Sequence, residues 1–163
     1  PDGRILFAST RQRQARAILL DEGKPQFTAQ DEDRLRPAFA LHVMNDDGSD
    51  IRQITFSPSG DFHPAVLGDG RVVFSRWDNV TATDRISLYT VQPDGRNLQV
   101  LYGIHSHDTG PDGARVEFVE TSELPDGRLL AMLRPFGESA RQASLPVAID
   151  VANYIDNEQP TFP

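Results

Sequence analysis

Short apolar segments alternate along the chain with clusters of turn residues. Segments 41–44 and 87–91 are rich in residues that favour strands, and apolar and charged residues alternate in segment 115–120. Alternation with a period of two is typical of a half-buried strand. Because each segment is short and a turn signal lies close to it, the pattern predicts an antiparallel all-β fold.

An Asp-Gly dipeptide adjoins a strand-like segment at five places, in two registers. The dipeptides before an apolar run are Asp2-Gly3, Asp69-Gly70 and Asp126-Gly127, and those after a strand are Asp47-Gly48 and Asp94-Gly95. A tight turn often needs a positive φ, which glycine adopts freely and aspartate tolerates. One such turn is common in any β protein, but its recurrence in fixed registers indicates a repeated unit.

The repeat contains four strands in about 50 residues, which is the spacing of β-propeller blades. The predicted units are residues 1–55, 63–102 and 115–152, with a loop insertion at 11–39 in the first unit. A propeller has roughly four to eight blades, so about three blades do not close a ring. The sequence therefore predicts a β-propeller fragment from a larger protein. A β-sandwich and an irregular β-domain are the alternatives.

The composition of the 163 residues limits the partners and cofactors. The net charge of −8 disfavours nucleic acid as a partner, because an acidic chain repels phosphates. No apolar run is long enough for a membrane span. The chain has no cysteine, which excludes disulfides, thiolate metal sites and Cys-x-x-Cys-His haem attachment within it. We expect no cofactor within the chain, and a protein partner or the remaining blades of the parent protein as its contacts.

The longer connections between predicted strands emerge at the end opposite the Asp-Gly turns. They are residues 11–39, 56–62, 77–86, 103–114 and 135–145. Long loops on a rigid scaffold are where binding residues concentrate. The candidate ligand-binding residues of this rim are His63, Arg76, Trp77, Asp78, His105, His107 and Asp108.

His105 and His107 are also candidate metal ligands, since imidazole binds zinc, copper and iron, including haem iron. The alternative is structural: the histidines and the nearby acids bind loop backbone and hold adjacent blades together. We expect the structural role for this pair. The residues predict no catalytic group, and the chain is expected to be non-catalytic on its own.

Segment 42–55 resembles the TolB-type propeller repeat, in which a strand, an Asp-Gly turn and a strand ending in Leu-Thr follow one another; here the last two residues are Ile54-Thr55. Segments 61–78, 101–106 and 124–136 resemble the propeller domain of hydrazine synthase alpha-subunit-like proteins. The resemblance implies a periplasmic or extracellular protein, with c-type haem possible elsewhere in the parent protein.

Three functions are compatible with these observations. The first is a propeller scaffold or binding domain that holds a partner or organises a redox assembly. The second is a part of a haem- or metal-containing oxidoreductase subunit, in which His63, His105 or His107 contacts a haem or metal held elsewhere. The third is a propeller that gates a hydrolase domain.

Overall fold

The computed structural model describes residues 3–11, 31, 35–80, 83–110, 113–137, 144–153 and 156. These residues form strands joined by turns and loops. The strands are β1 (Ile5–Ser9), β2 (Ala40–Met44), β3 (Arg52–Gln53), β4 (Gly60–Val66), β5 (Val72–Val80), β6 (Thr83–Val91), β7 (Gln99–Tyr102), β8 (Val116–Glu123), β9 (Leu129–Pro135) and β10 (Leu145–Ile149).

The strands form three antiparallel sheets in which every strand pairs with its neighbour in sequence. The first sheet has the order β1-β2-β3, the middle sheet β4-β5-β6-β7 and the third sheet β8-β9-β10. The prediction of an antiparallel all-β chain is confirmed, and so is the four-stranded meander of the middle sheet. The first and third sheets have three strands each among the described residues.

The Asp-Gly turns share a hydrogen-bonding scheme that explains their composition. In the β4–β5 turn the Gly70 amide donates to the Leu67 carbonyl at 2.9 Å, with glycine at φ +86°. The Asp69 carboxylate accepts the Arg71 amide at 2.9 Å. Hydrogen bonds from Arg71 lower the pKa of Asp69, so the side chain stabilises the turn in its charged form.

The four Asp-Gly turns that the structure describes lie at one end of the sheets, as predicted, and Asp2 lies outside the described residues. Antiparallel order places the β4–β5 and β6–β7 turns at the same end of the middle sheet. Val43, close to the β2–β3 turn, lines a cleft with Gly70. The Glu123 carboxylate, next to the β8–β9 turn, accepts the Gly68 amide. In the β7–β8 connection, at the opposite end, the Gly113 amide donates to the Gly110 carbonyl at 3.0 Å.

One predicted loop is a hairpin in the structure, and another lies largely outside the described residues. The prediction of a long loop at 77–86 is wrong, because β5 continues to Val80 and pairs with Thr83 at the start of β6. The polar residues of this segment are typical of a loop. In the structure they belong to the β5–β6 hairpin, which extends beyond the other strands of the sheet. Most of the insertion at 11–39 lies outside the described residues.

The core consists of two clusters on the opposite faces of the middle sheet. Val72 and Phe74 belong to the cluster shared with Leu41 of the first sheet, whereas Val73 belongs to the cluster shared with Phe118 of the third. Successive residues of β5 therefore face different neighbours, as a strand buried on both sides requires. Each fully buried aliphatic or aromatic side chain contributes roughly 1.5–3 kcal/mol.

Candidate functional site

A cleft of about 730 Å³ opens at the end of the sheets opposite the four described Asp-Gly turns. All three sheets contribute to it, and we call it the central cleft. Its lining residues are Ala8, Asp31, Leu35, Arg36, Pro37, Phe39, Phe62, His63, Trp77, Asn79, Asp84, Ile86, Glu117, Arg134, Phe136 and Gly137. Concave sites of this volume are typical of small-molecule binding.

His63 lies at a β-bulge in β4, where the pairing with β5 shifts between Phe62 and Ala65. Its φ of +53° is in the left-handed region, which residues other than glycine seldom adopt. Bulges reorient side chains and are common beside active and binding sites. The ring makes an edge contact with Phe62, with the centroids 5.7 Å apart.

The imidazole of His63 is partly buried, and Nδ1 is enclosed without a hydrogen-bond partner among the described residues. Burial is the main reason that its pKa is lowered; the charge of Glu120 acts in the opposite direction and that of Arg134 in the same one. The ring is therefore neutral near pH 7. A neutral imidazole can donate or accept a hydrogen bond, according to its tautomer.

Trp77 forms one wall of the central cleft. Its indole Nε1 donates to Asp84 Oδ1 at 2.5 Å, and this bond fixes the ring. The guanidinium of Arg36 lies 5.6 Å from the ring centroid, within the range of a cation–π contact. The backbone at Arg36 is held in turn by Asp31, whose carboxylate accepts the amides of Leu35 and Arg36 at 2.8 and 3.2 Å.

Glu117 and Arg134 also line the cleft, as cross-strand partners on β8 and β9. Arg134 Nε donates to Glu117 Oε1, and the Glu117 side chain is only 4% exposed. Burial raises the pKa of Glu117, although Arg134 and Arg36 both favour its charged form. Two guanidinium groups therefore act on the same carboxylate.

The structure separates the predicted residues of β5 from one another. Trp77 lines the central cleft, whereas Arg76 and Asp78 are absent from its lining. Arg76 forms a two-point ion pair with the buried Asp61, at 2.7 and 3.0 Å, and contacts the ring of Tyr89. Asp78 accepts the hydroxyl of Tyr89 at 2.9 Å. The alternation of a strand accounts for this division.

His105, His107 and Asp108 lie in the β7–β8 connection and are also absent from the lining of the cleft. His107 Nδ1 lies 2.8 Å from the Ile104 carbonyl, and Nε2 lies 3.3 Å from Asp108 Oδ2. Both ring nitrogens thus have partners in the loop itself. Among the residues that the structure describes, no group of three or more histidines and acids is placed to hold a metal ion.

Asp156 anchors the same connection from a distant part of the chain. Its carboxylate accepts the Gly103 amide at 2.7 Å, the His105 amide at 3.2 Å and the Ser106 hydroxyl at 2.9 Å. Together with the contacts of His107, these bonds make the connection a fixed part of the scaffold. They support the structural interpretation of this segment.

The sequence reasoning missed Arg36, Asp84, Glu117 and Arg134. Two of these residues, Glu117 and Arg134, belong to a pattern that occurs twice in the chain. In this pattern an acid in the first strand of a sheet faces an arginine in the second strand. Asp61 faces Arg76 in the middle sheet, and Glu117 faces Arg134 in the third. The two pairs are one position out of register, since Asp61 lies two residues before His63 and Glu117 three residues before Glu120, so comparison of the repeat units alone does not identify the pair in the cleft.

The fold and the cleft define an all-β protein of successive antiparallel sheets with a ligand-sized recess at one end. No protein-family model and no curated protein sequence matches the chain. Among solved structures, hydrazine synthase from Kuenenia stuttgartiensis is similar, with a TM-score of 0.50 and 15% sequence identity. The match covers 89% of this chain and 26% of that one. At this identity the similarity concerns the fold, and the chain spans about a quarter of the similar protein's length.

Proposed function

We propose that the chain is part of a β-propeller that serves as the ligand-binding domain of a larger periplasmic or extracellular protein and is not catalytic alone. The repeated sheets, with their turns at one end, support the propeller. The fold similarity to a segment of hydrazine synthase supports a place within a longer protein. Remaining blades of that protein, or a protein partner, would cover the outer sheets.

The observation that carries the binding role is the central cleft, which is lined from all three sheets. His63 is held there in a left-handed conformation at the end of the sheets where loops concentrate. The same left-handed conformation recurs at Glu120, which is absent from the lining, so the binding role rests on the cleft itself. Aromatic walls with a few fixed polar groups supply both affinity and orientation.

Binding can be tested by nuclear magnetic resonance with a library of small soluble molecules. Trp77 is the only tryptophan, so its indole N–H gives a single resonance that reports on the cleft. We expect some library members to shift this resonance in a saturable way. The variant Arg96→Gln is a suitable control, because Arg96 lies at an Asp-Gly turn at the other end and its side chain is 84% exposed. A library that shifts only resonances remote from the cleft would contradict the proposed role.

A structure of the parent protein would test whether the propeller closes into a ring. A closed ring with the three sheets as adjacent blades is the expected result. An open arc of sheets, or a sandwich in which the first and third sheets pack on each other, would contradict it. This structure determination needs no ligand, so it tests the propeller proposal separately from the binding proposal.

A second candidate is a non-catalytic part of a haem- or metal-containing oxidoreductase, favoured by the similarity to hydrazine synthase. The haem would then be bound by another segment of the parent protein. The absorption spectrum and metal content of the intact protein would be compared with those of a His105→Ala, His107→Ala double variant. A haem band that shifts, or a bound metal that is lost, would favour this candidate; an unchanged spectrum would favour the scaffold.

A further inference from the structure

We infer that the central cleft binds a neutral sugar, whose adjacent hydroxyls meet a carboxylate and a guanidinium both at Trp77 and on strands β8 and β9. This inference rests on the proposed binding role of the cleft and adds the chemical class of the ligand. It follows from two places in the lining where an acceptor and a donor lie side by side, each with hydrogen-bonding capacity to spare.

The first of these places is around Trp77. Asp84 Oδ1 accepts the indole N–H at 2.5 Å, and Oδ2 of the same carboxylate has no hydrogen bond from a described residue. The guanidinium of Arg36 lies 5.6 Å from the centre of the indole and forms no ion pair with a described residue. A carboxylate oxygen that can accept and a set of N–H groups that can donate therefore flank the same ring.

The second place is on strands β8 and β9. Arg134 Nε donates to Glu117 Oε1, whereas Glu117 Oε2 and the two terminal nitrogens of Arg134 have no hydrogen-bond partner among the described residues. Glu117 and Arg134 face each other across paired strands, so their relative position is fixed. Here too an acceptor and donors are adjacent.

The charges of the lining nearly balance. Three carboxylates and two guanidinium groups line the cleft, namely Asp31, Asp84, Glu117, Arg36 and Arg134. An anion drawn to the arginines would meet the carboxylates, and a cation would meet the arginines, so a ligand with a single charge satisfies only part of the lining.

A hydroxyl group satisfies both kinds of side chain, because it is a donor and an acceptor at once. Of two adjacent hydroxyls on a ring, one can donate to a carboxylate and the next can accept from the neighbouring guanidinium. Both hydrogen bonds are charge-assisted and therefore strong. A neutral ligand with several hydroxyls thus uses both donor–acceptor pairs without bringing an unpaired charge into the cleft.

The apolar part of the lining suits the C–H face of a sugar ring. Phe62 and Phe136 line the cleft together with Trp77. The face of an aromatic ring is negative, and C–H groups next to hydroxyls carry a small positive charge, so their contact is favourable. A flat ligand such as a nucleobase fits less well, since Arg36 already lies over the indole. A base also presents its donors and acceptors in one plane, whereas the polar groups of this cleft come from three parts of the chain.

The test compares ligands that differ in one property. The neutral sugars are the methyl glycosides of glucose, galactose, mannose and N-acetylglucosamine. The uronate and the 2-amino derivative of the sugar that binds best add a negative and a positive charge. Cyclohexanol keeps a ring with a single hydroxyl, and adenine represents flat aromatic ligands. Binding to the full chain would be followed by the indole resonance of Trp77 and by calorimetry.

We expect at least one neutral sugar to bind in a saturable way and to shift the Trp77 resonance. The charged derivatives, cyclohexanol and adenine should each bind about tenfold more weakly or less. Each of them lacks part of the paired hydrogen bonds or adds an unmatched charge, and the loss of one charge-assisted hydrogen bond corresponds to about tenfold in affinity.

Two variants test the pair at Trp77. Arg36→Gln removes a guanidinium at an exposed position, where substitution is compatible with the fold. Asp84→Asn keeps an oxygen that can accept the indole N–H and replaces the spare acceptor by a donor. Each should weaken binding of the sugar about tenfold. Arg96→Gln, at the opposite end, should have no effect.

Each outcome decides the inference. If a charged derivative or adenine binds at Trp77 as tightly as the best neutral sugar, or if either variant leaves sugar binding intact, the sugar inference is overturned while the cleft remains a binding site. The same conclusion follows if molecules of the library shift the Trp77 resonance and no neutral sugar does. If neither the library nor the sugars shift it, the proposed binding role fails together with the inference.

Discussion

His63 and Glu120 occupy equivalent positions in two successive sheets. Each lies at a bulge in the first strand, each has a φ of +53°, and each precedes the glycine of the next Asp-Gly turn by seven residues. The charge of Glu120 also acts on the imidazole of His63, against the larger effect of burial on the pKa. The repeat therefore preserves a bent, left-handed position as well as the turn, although the side chain there differs.

The left-handed conformation predicts an unusual order of stability at Glu120, which is exposed. Glu120→Gly should be more stable than Glu120→Ala by about 1 kcal/mol, because a positive φ is unfavourable for an L-residue and not for glycine. Urea denaturation of the two variants measures the difference. The same two substitutions, to glycine and to alanine, should show the opposite order of stability at Ser122, which is exposed in the same strand and has no positive φ. The same order at both positions would refute the strain at Glu120.

The buried ion pair of the middle sheet predicts a large effect of a single substitution. Asp61 is fully buried and the Arg76 side chain is 11% exposed, so Arg76→Gln leaves an uncompensated buried carboxylate. We expect a loss of about 3–5 kcal/mol. Arg71→Gln removes an exposed pair with Asp69 and should cost at most about 1 kcal/mol. Similar small losses for both variants, measured by denaturation, would show that Asp61 is not held by Arg76.

Much of the fold was accessible from the sequence because the signals are local. The Asp69-Gly70 turn depends on the positive φ of glycine and on a carboxylate that binds an amide two residues away, and both requirements are visible in the residues. The hairpin at 77–86 was not accessible in this way. Most of its residues are polar, and β5 extends beyond the rest of the sheet only because it pairs with β6.

The central cleft was only partly accessible. His63 and Trp77 were predicted for the correct end, and the period of a strand is sufficient to place Arg76 and Trp77 on opposite faces of β5. Arg36 and Glu117, by contrast, come from the first and third parts of the chain. Only the packing of three sheets brings them to one recess, and no local pattern contains that information.

Tyr89 provides a prediction about high pH. Burial and the hydrogen bond to Asp78 raise its pKa from about 10 to about 12. The phenol therefore favours the folded state fully below about pH 10, and this contribution disappears as the pH rises through about 12. Spectrophotometric titration of the chain, compared with Tyr89→Phe, should assign a phenol that ionises near pH 12. Asp78→Asn should lower that pKa; an unchanged titration would remove Asp78 as a cause.

His42 and His63 provide a prediction about low pH. His42 is fully buried, stacked on Phe7 with the ring centroids 5.4 Å apart, and its Nδ1 lies 3.0 Å from the Ala40 carbonyl. Burial is the main cause of the lowered pKa of both histidines. A histidine with a lowered pKa stabilises the folded state above its unfolded pKa of about 6.5, and the contribution is lost as the pH falls through the folded pKa.

The chain should accordingly lose stability between pH 7 and pH 5, with His63 accounting for part of the loss. His63→Gln keeps a polar side chain that does not titrate, so its free energy of unfolding should change less over this interval than that of the unaltered chain. Urea denaturation at both pH values measures the two changes. His105→Gln, at an exposed position of the β7–β8 connection, tests whether any histidine substitution has the same effect. If His63→Gln and the unaltered chain lose the same stability on acidification, burial of the His63 ring does not control its protonation. The imidazole at the wall of the central cleft would then titrate with its ordinary pKa of about 6.5.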